Sequence, residues 1–217
     1  MGSEQLNQMP QSPPGDRAKL LADPLARATR LGLLEESHLA PLTAFVRALR
    51  NETGPAAEIP NFDPWDGGVA AEVLFLLEAP GAKAVQSGFI SRNNPDETAK
   101  NFFELNVAAG IARKRTITWN IVPWYIGTGQ KIRAAASSDI NAGLRPLPRL
   151  MQLLPALRVA VLIGRKAERA TEAIRACRPT VQIFKTPHPS PLFINNAPGN
   201  WDRILNVLLD VRRYISS

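Results

Sequence analysis

The sequence is poor in the residues that hold metals and form disulfides. Of its 217 residues only Cys177 is a cysteine, and only His38 and His188 are histidines. One thiol excludes an intramolecular disulfide framework and a four-thiolate zinc or iron–sulfur site. Two histidines argue against a conventional zinc site. We therefore expect chemistry that needs no metal and no cofactor.

Long apolar runs are also missing. No segment approaches the roughly 20 residues that span a bilayer, and the N-terminus lacks the basic-then-apolar order of a signal peptide. These absences predict a cytoplasmic protein with no membrane partner. Residues 1–16, rich in Pro, Gln and Ser, are predicted to be a disordered tail. The length then suits a single domain over residues 17–217.

Acidic residues are too few to balance the basic ones. Lys and Arg number 26 against 19 Asp and Glu, a formal charge of +7. A surplus of this size favours a polyanionic partner, either nucleic acid or an anionic membrane surface.

Four short, almost continuously apolar runs predict strands that are covered on both faces. They are Glu72–Ala79, Thr116–Val122, Arg158–Gly164 and Val181–Thr186. Helical patterns cover Glu36–Asn51, a segment from an Asn94 cap to Gly110, Arg165–Ala176 and Asn200–Tyr214. The alternation predicts an α/β fold with a central four-stranded parallel sheet flanked by helices on both faces.

Polar side chains follow three of these strands. Glu78 ends the first, Asn120 the second, and His188 comes just after the fourth. Ligand sites of parallel sheets lie beyond the carboxyl ends of the strands, so the three side chains are predicted to share one crevice. Taken singly, each also fits an ordinary structural role, such as a helix cap, a backbone hydrogen bond or a loop position.

The segments that carry these residues resemble the motifs of the uracil-DNA glycosylase superfamily. They read Glu-Ala-Pro-Gly at 78–81, Asn-Ile-Val-Pro-Trp at 120–124 and His-Pro-Ser-Pro-Leu at 188–192. The resemblance covers about residues 72–214, in the family's order. It implies a three-layer sandwich and an enzyme that flips a base, uracil by expectation, out of DNA and hydrolyses its N-glycosidic bond.

The resemblance implies a base pocket. Asn120 would accept from N3–H and donate to O4 of uracil, a pattern that cytosine reverses. Phe89 occupies the position where family members stack an aromatic ring on the base, although plain core packing is the alternative. Ala79, Pro80 and Gly81 would bring the backbone close to the lesion.

Catalytic roles follow from the same resemblance. His188 would donate a hydrogen bond to O2 of the leaving base, and Glu78 would position water and stabilise the cationic sugar. Members with an aspartate place it where this chain has Ala79, so it is open whether Glu78 is a general base. The Glu-Ala-Pro-Gly branch usually carries four cluster-binding cysteines, so this chain is predicted to be an atypical member without the cluster.

DNA contacts are expected in three places. Pro191 and Leu192 would form a wedge that fills the space of the flipped base, and Ser190 would meet phosphate. Lys131 with Arg133, and Arg165 with Lys166 at a predicted helix start, would lie near the DNA backbone; a solvated surface is the alternative for these basic residues. The expected partner is DNA containing uracil or another deaminated base, bound by a monomer.

Other functions remain open at this point. A glycosylase for deaminated purines such as hypoxanthine or xanthine would use the same motifs. A binder that traps uracil-containing DNA, with or without a covalent bond, would also fit. A flavodoxin-like or nucleoside-hydrolysing enzyme with coincidental motifs is the last alternative.

Overall fold

A four-stranded parallel sheet lies at the centre of the protein, in the order β4-β2-β7-β8. The computed structural model describes residues 13–128 and 131–217. In chain order the strands are β1 (Asn61–Phe62), β2 (Val73–Leu77), β3 (Phe89–Ile90), β4 (Thr116–Asn120), β5 (Gly127–Thr128), β6 (Lys131–Ile132), β7 (Val159–Ile163) and β8 (Gln182–Thr186). The four predicted strands are confirmed as β2, β4, β7 and β8.

Helices cover both faces of this sheet. They are α1 (Pro24–Leu31), α2 (Ala40–Thr53), α3 (Ala82–Ser87), α4 (Glu97–Ala109), α5 (Ser137–Leu144), α6 (Leu147–Gln152), α7 (Thr171–Cys177), α8 (Pro191–Ile194) and α9 (Asn200–Ser216). One hydrophobic core joins the sheet to α2, α6 and α7. A second core joins its other face to α4 and α9. The predicted α/β sandwich with helices on both faces is therefore the observed fold.

The apolar strands owe their composition to this double covering. Every residue of β4 and β7 is buried. On β2, Leu74 and Leu76 face the first core whereas Val73 and Phe75 face the second, as expected for side chains that alternate along a strand. β8 is one of the two edge strands and, unlike β4 at the other edge, is only partly buried.

Three predicted helices begin differently from expectation, and the first of them, α2, begins at Ala40 rather than Glu36. The cap of α4 is Asp96 rather than Asn94: the Asp96 carboxylate accepts the Ala99 N–H at 2.9 Å. Asn94 is buried and accepts a hydrogen bond from Ser87 Oγ at 2.7 Å. The predicted Arg165–Ala176 helix opens with a 3-10 turn over Ala167–Ala170 before α7. These differences leave the order of elements unchanged.

A buried ionic network ties the N-terminal segment to the domain. Asp63 contacts both Arg30 and Arg113, and Arg113 also pairs with Asp66 and Asp16 at 2.9 Å each. The side chain of Asp16 is 2% exposed, so the end of the predicted disordered tail is held in the domain. Residues 1–12 of that tail lie outside the described residues.

None of the described helices has the length and apolarity needed to cross a membrane.

Candidate active site

Strand register brings the three motif segments to one edge of the sheet. Leu77 on β2 lies opposite Asn120 on β4, and Ile163 on β7 lies opposite Thr186 on β8. The β2–β4 ladder continues past the strands, because Val122 N–H donates to the Glu78 carbonyl at 2.9 Å.

A cavity of about 580 Å³ opens at this edge. Glu78, Asn120 and His188 all line it, so the structure brings the three predicted side chains together. Other lining residues include Asp96, Thr118 and Phe102. The arrangement places one carboxylate, one amide and one imidazole around a single space.

Glu78 is half-buried at the cavity wall, and one of its oxygens has a fixed partner. Glu78 Oε1 accepts the backbone N–H of Ala135 at 2.7 Å. Ala135 belongs to the segment between β6 and α5, which therefore forms part of the wall. Among the described residues no second hydrogen bond to this carboxylate is found, which leaves its other oxygen for water or substrate.

Asn120 presents its amide at the last position of β4 and is 4% exposed. Thr118, two residues earlier on the same face of the strand, is equally buried and also lines the cavity. Within the described part of the chain, Thr118 Oγ1 has no hydrogen-bond partner. The cavity wall thus carries an amide and an unsatisfied hydroxyl on one strand.

The imidazole of His188 is held in its neutral form by its surroundings. Burial lowers the pKa of His188 below its ordinary value of 6.5, and the nearby carboxylates of Glu78 and Asp96 oppose that shift. At neutral pH the ring is therefore an uncharged hydrogen-bond donor. A Cβ added at Gly164 would lie 3.4 Å from the Cβ of His188, so the loop after β7 packs closely on this residue.

The segment whose backbone was expected to approach the damaged base lies at the cavity. Ala79, Pro80 and Gly81 all line it. Gly81 is exposed, and a Cβ at this position would meet no protein atom within 4 Å. The open space beside Gly81 is accordingly available to a ligand.

Phe89 does not line the cavity, contrary to the expectation that it stacks on a base. Its side chain is completely buried, whereas its neighbour Ile90 lines the cavity. Adjacent residues of a strand face opposite ways, so Phe89 on β3 points into the packed interior. The aromatic side chain at the cavity is Phe102 of α4, which packs edge-on against Phe75.

The His-Pro-Ser-Pro-Leu loop projects an apolar side chain. Pro191 begins α8, and the next residue, Leu192, is 84% exposed. Ser190 Oγ accepts the Phe193 N–H at 3.3 Å, which leaves its hydroxyl hydrogen free to donate. Asn101 of α4 donates to the Pro189 carbonyl at 3.0 Å and so anchors the loop.

The predicted phosphate contacts are only partly described. Arg165 is exposed. Arg133 is 55% exposed and pairs with Asp139. The side chain of Lys131, like residues 129 and 130, lies outside the described residues.

Sequence reasoning missed two residues of the site and the contact that a third one makes. Asp96 was interpreted only as part of a helix start, although a helix that begins beside strand ends also turns its cap residue toward the site. Thr118 carried a weak signal, because it lies at i−2 from Asn120 and so shares its face. Lys166, which hydrogen-bonds to the Ala135 carbonyl, was expected only as a phosphate contact.

Metal binding finds no support in the side chains. In the part of the chain that the structure describes, no three His, Cys, Asp or Glu residues are grouped so that they could hold an ion.

A parallel sheet gathers these groups at the carboxyl ends of its strands, which is where α/β proteins bind their ligands. The family model of the uracil DNA glycosylase superfamily matches residues 64–209, which is more than half of the chain. The chain therefore belongs to the uracil DNA glycosylase superfamily.

Two solved structures are similar to this chain, and the first of them shares its fold. The crystal structure of wild-type SMUG2 from Pedobacter heparinus is similar over 84% of this chain and 87% of that one, with a TM-score of 0.55 and 12% identity. The solution structure of a candidate uracil DNA glycosylase from Methanosarcina acetivorans is similar over 66% of this chain and 92% of that one, with a TM-score of 0.47 and 16% identity. No curated protein matches the chain.

Proposed function

We propose that the protein is a monofunctional DNA glycosylase that removes uracil and leaves an abasic site. The observation that carries the proposal is the shared cavity of Glu78, Asn120 and His188 in a chain of this superfamily. A base inside duplex DNA cannot reach such a cavity, so the reaction begins with base flipping, which costs a few kcal/mol.

Recognition is assigned to Asn120. Its amide oxygen accepts from N3–H of uracil, and its amide nitrogen donates to O4. Cytosine offers the opposite pattern, so it would leave both buried amide groups unpaired. An unpaired buried group costs about 1–3 kcal/mol, which supports discrimination against the normal base.

Bond cleavage is assigned to His188 and Glu78. The bond between C1′ and N1 breaks with its electron pair on the base, and negative charge collects on O2. The neutral His188 ring donates its N–H to that oxygen; a donor of this kind is typically worth about 3 kcal/mol. Glu78 orients the water that adds to C1′ and stabilises the cationic sugar, and the proton that the water loses passes to this carboxylate or to solvent.

The duplex is kept open by the loop after β8. Leu192 is 84% exposed on a segment that contains three prolines, at 187, 189 and 191. A stiff backbone that holds an apolar side chain in solvent suits insertion into the base stack. Ser190 and Arg165 are proposed to contact phosphates on either side.

An excision assay tests the proposal. The wild-type protein, in EDTA, is incubated with an oligonucleotide that carries one uracil, and abasic sites are revealed by alkaline cleavage. We expect cleavage at the uracil alone, and Asn120→Ala or His188→Ala to lower the rate by about two to three orders of magnitude with far-UV circular dichroism unchanged. Tight retention of uracil DNA without turnover would instead identify a trapping binder.

Deaminated purines are the second candidate substrates. The cavity of about 580 Å³ has room for a two-ring base such as hypoxanthine or xanthine. The same assay with each lesion, in single-stranded and double-stranded DNA, ranks the substrates. If uracil, hypoxanthine and xanthine strands all stay intact, the protein is not a glycosylase for deaminated bases.

A further inference from the structure

Two hydrogen bonds link a lysine outside the motifs to the carboxylate of Glu78. Lys166 Nζ donates to the carbonyl oxygen of Ala135 at 2.7 Å. The backbone N–H of Ala135 in turn donates to Glu78 Oε1 at 2.7 Å. Ala135 is 1% exposed, so water has little access to either bond.

The segment that contains Ala135 needs such an anchor. It joins β6 to α5 without regular secondary structure of its own, and its neighbours Ala134 and Ala136 are exposed. Among the described residues the Ala135 N–H belongs to no strand ladder or helix, whereas the N–H of the next residue, Ala136, is held by Asp139 at the start of α5. Lys166 comes from a different element, the loop after β7, and fixes the segment against the sheet.

We propose that Lys166 is a positioning residue for Glu78. Its ammonium group holds the Ala135 carbonyl, the held segment directs the Ala135 N–H, and that N–H orients the carboxylate so that the second oxygen can meet the attacking water. This inference rests on the proposed glycosylase function. Misplacing a reacting group by about 1 Å is enough to cost about 100-fold in rate, so a side chain that never touches the substrate can still control the reaction.

Lys166 could instead contact a DNA phosphate, as the sequence predicts for it and for its exposed neighbour Arg165. The two roles differ in what they change. A phosphate contact alters the dissociation constant and its dependence on salt. A positioning residue alters the rate of the bound complex, and only while Glu78 is present to be positioned.

A double-mutant cycle separates these roles. Single-turnover rates at saturating protein are measured for the wild type, Lys166→Met, Glu78→Gln and the double variant, on duplex DNA with 5-fluorouracil in place of uracil. The fluorine stabilises the departing anion and keeps the slow variants measurable. Lys166→Met keeps the apolar stem and removes the donor.

We expect Lys166→Met to lower the single-turnover rate about 10- to 100-fold with the dissociation constant changed less than about twofold. In the Glu78→Gln background the same substitution should change the rate less than about twofold, because residues that act as a unit are not additive. Arg165→Met is the matched comparison: it should weaken binding and reduce the salt dependence by similar amounts in both backgrounds.

Equal rate losses for Lys166→Met in both backgrounds would overturn the proposal, as would a loss confined to the dissociation constant. If Lys166→Met does not fold, Lys166→Arg replaces it in the cycle, because the guanidinium group keeps the charge but not the geometry of the contact with the Ala135 carbonyl. Either of the two outcomes above would overturn the proposal for this variant as well. Wild-type protein that excises no base at all would overturn the proposed function itself, which is a different result from an active enzyme with an additive cycle.

Discussion

Thr118 and Asn120 present a hydroxyl and an amide to the same cavity from alternate positions of β4. The amide was expected from the motif, whereas the hydroxyl was not. Because a buried hydroxyl without a partner costs free energy, Thr118 Oγ1 is a group that a bound base or an ordered water would satisfy.

Replacing Thr118 by valine should therefore separate stability from activity. Thr118→Val removes an unpartnered buried hydroxyl with little change of shape, so the free energy of unfolding should stay equal or rise by up to about 1 kcal/mol. Excision should slow by about tenfold, because a ligand hydrogen bond is lost. Urea denaturation and single-turnover assays measure the two effects.

Thr186→Val is the matched control. Its hydroxyl is also buried and unpartnered within the described chain, but Thr186 is not part of the cavity lining. We expect the same effect on stability and no effect on excision. Equal activity losses in both variants would show that Thr118 acts only through packing.

Phe102, the aromatic side chain at the cavity, gives a second prediction. Phe102→Leu removes a ring at the cavity, and should weaken binding of a flipped base by about 1–3 kcal/mol if the base packs on that ring. Phe89→Leu removes a ring that lies in the interior and should reduce stability by a similar amount while the folded fraction binds normally. Dissociation constants on an oligonucleotide with a non-hydrolysable uracil analogue compare the two; weaker binding in Phe89→Leu alone would contradict the structure.

Leu192 gives a third prediction. Because the side chain is 84% exposed, Leu192→Ala should change the free energy of unfolding by less than about 0.5 kcal/mol. Excision from duplex DNA should nevertheless slow, by about tenfold or more, because the space left by the flipped base is no longer filled. Single-stranded DNA has no such space, so its rate should stay the same. Equal slowing on both substrates would exclude the wedge role.

The sheet and the three motif residues were predictable for a simple physical reason. Strands covered on both faces are almost continuously apolar, so the four runs were visible without a structure. A polar residue at or just after the carboxyl end of such a run lies at the edge of the sheet where ligands bind. This rule predicted Glu78, Asn120 and His188 as site residues.

The rest of the site depends on contacts that the sequence does not show. Ile90 rather than Phe89 faces the cavity because a shift of one residue reverses the face of a strand. The strand that contains them, β3, has only two residues and so gives no periodic pattern. The contact between Lys166 and Ala135 joins residues that are 31 positions apart in the sequence. Asp96 was recognised as favourable near a helix start, but its approach to His188 depends on how α4 packs on the sheet.

His188 makes stability depend on pH. Its pKa is lowered in the folded protein, mainly by burial, whereas the unfolded chain has the ordinary value of about 6.5. Between the two values the unfolded state binds more protons, so this contribution to stability is present above the unfolded pKa and is lost as pH falls toward and through the folded pKa. Urea denaturation of the wild type and His188→Asn from about pH 7.5 down to 5 should show a steeper loss in the wild type. Parallel curves would mean that the ring is not buried as described.

The ionic network beneath the cavity gives the last prediction. Asp63 is fully buried and contacts Arg30, Arg113 and the hydroxyl of Ser91, which lines the cavity. Asp63→Asn keeps the shape but leaves two buried guanidinium groups with less compensating charge. Removing one partner of a buried ion pair costs about 3–5 kcal/mol, so urea denaturation should show a loss of this size.

The exposed pair of Arg47 and Glu35 is the control for that loss, since its side chains are 60% and 62% exposed. Glu35→Gln should change stability by less than about 1 kcal/mol, because surface pairs are screened by water. Asp63 also accepts a hydrogen bond from Ser91, which lines the cavity. Asp63→Asn should therefore weaken substrate binding even at temperatures where the variant is folded. A loss under about 1 kcal/mol for Asp63→Asn would mean that Asp16 and Asp66 alone neutralise the two arginines.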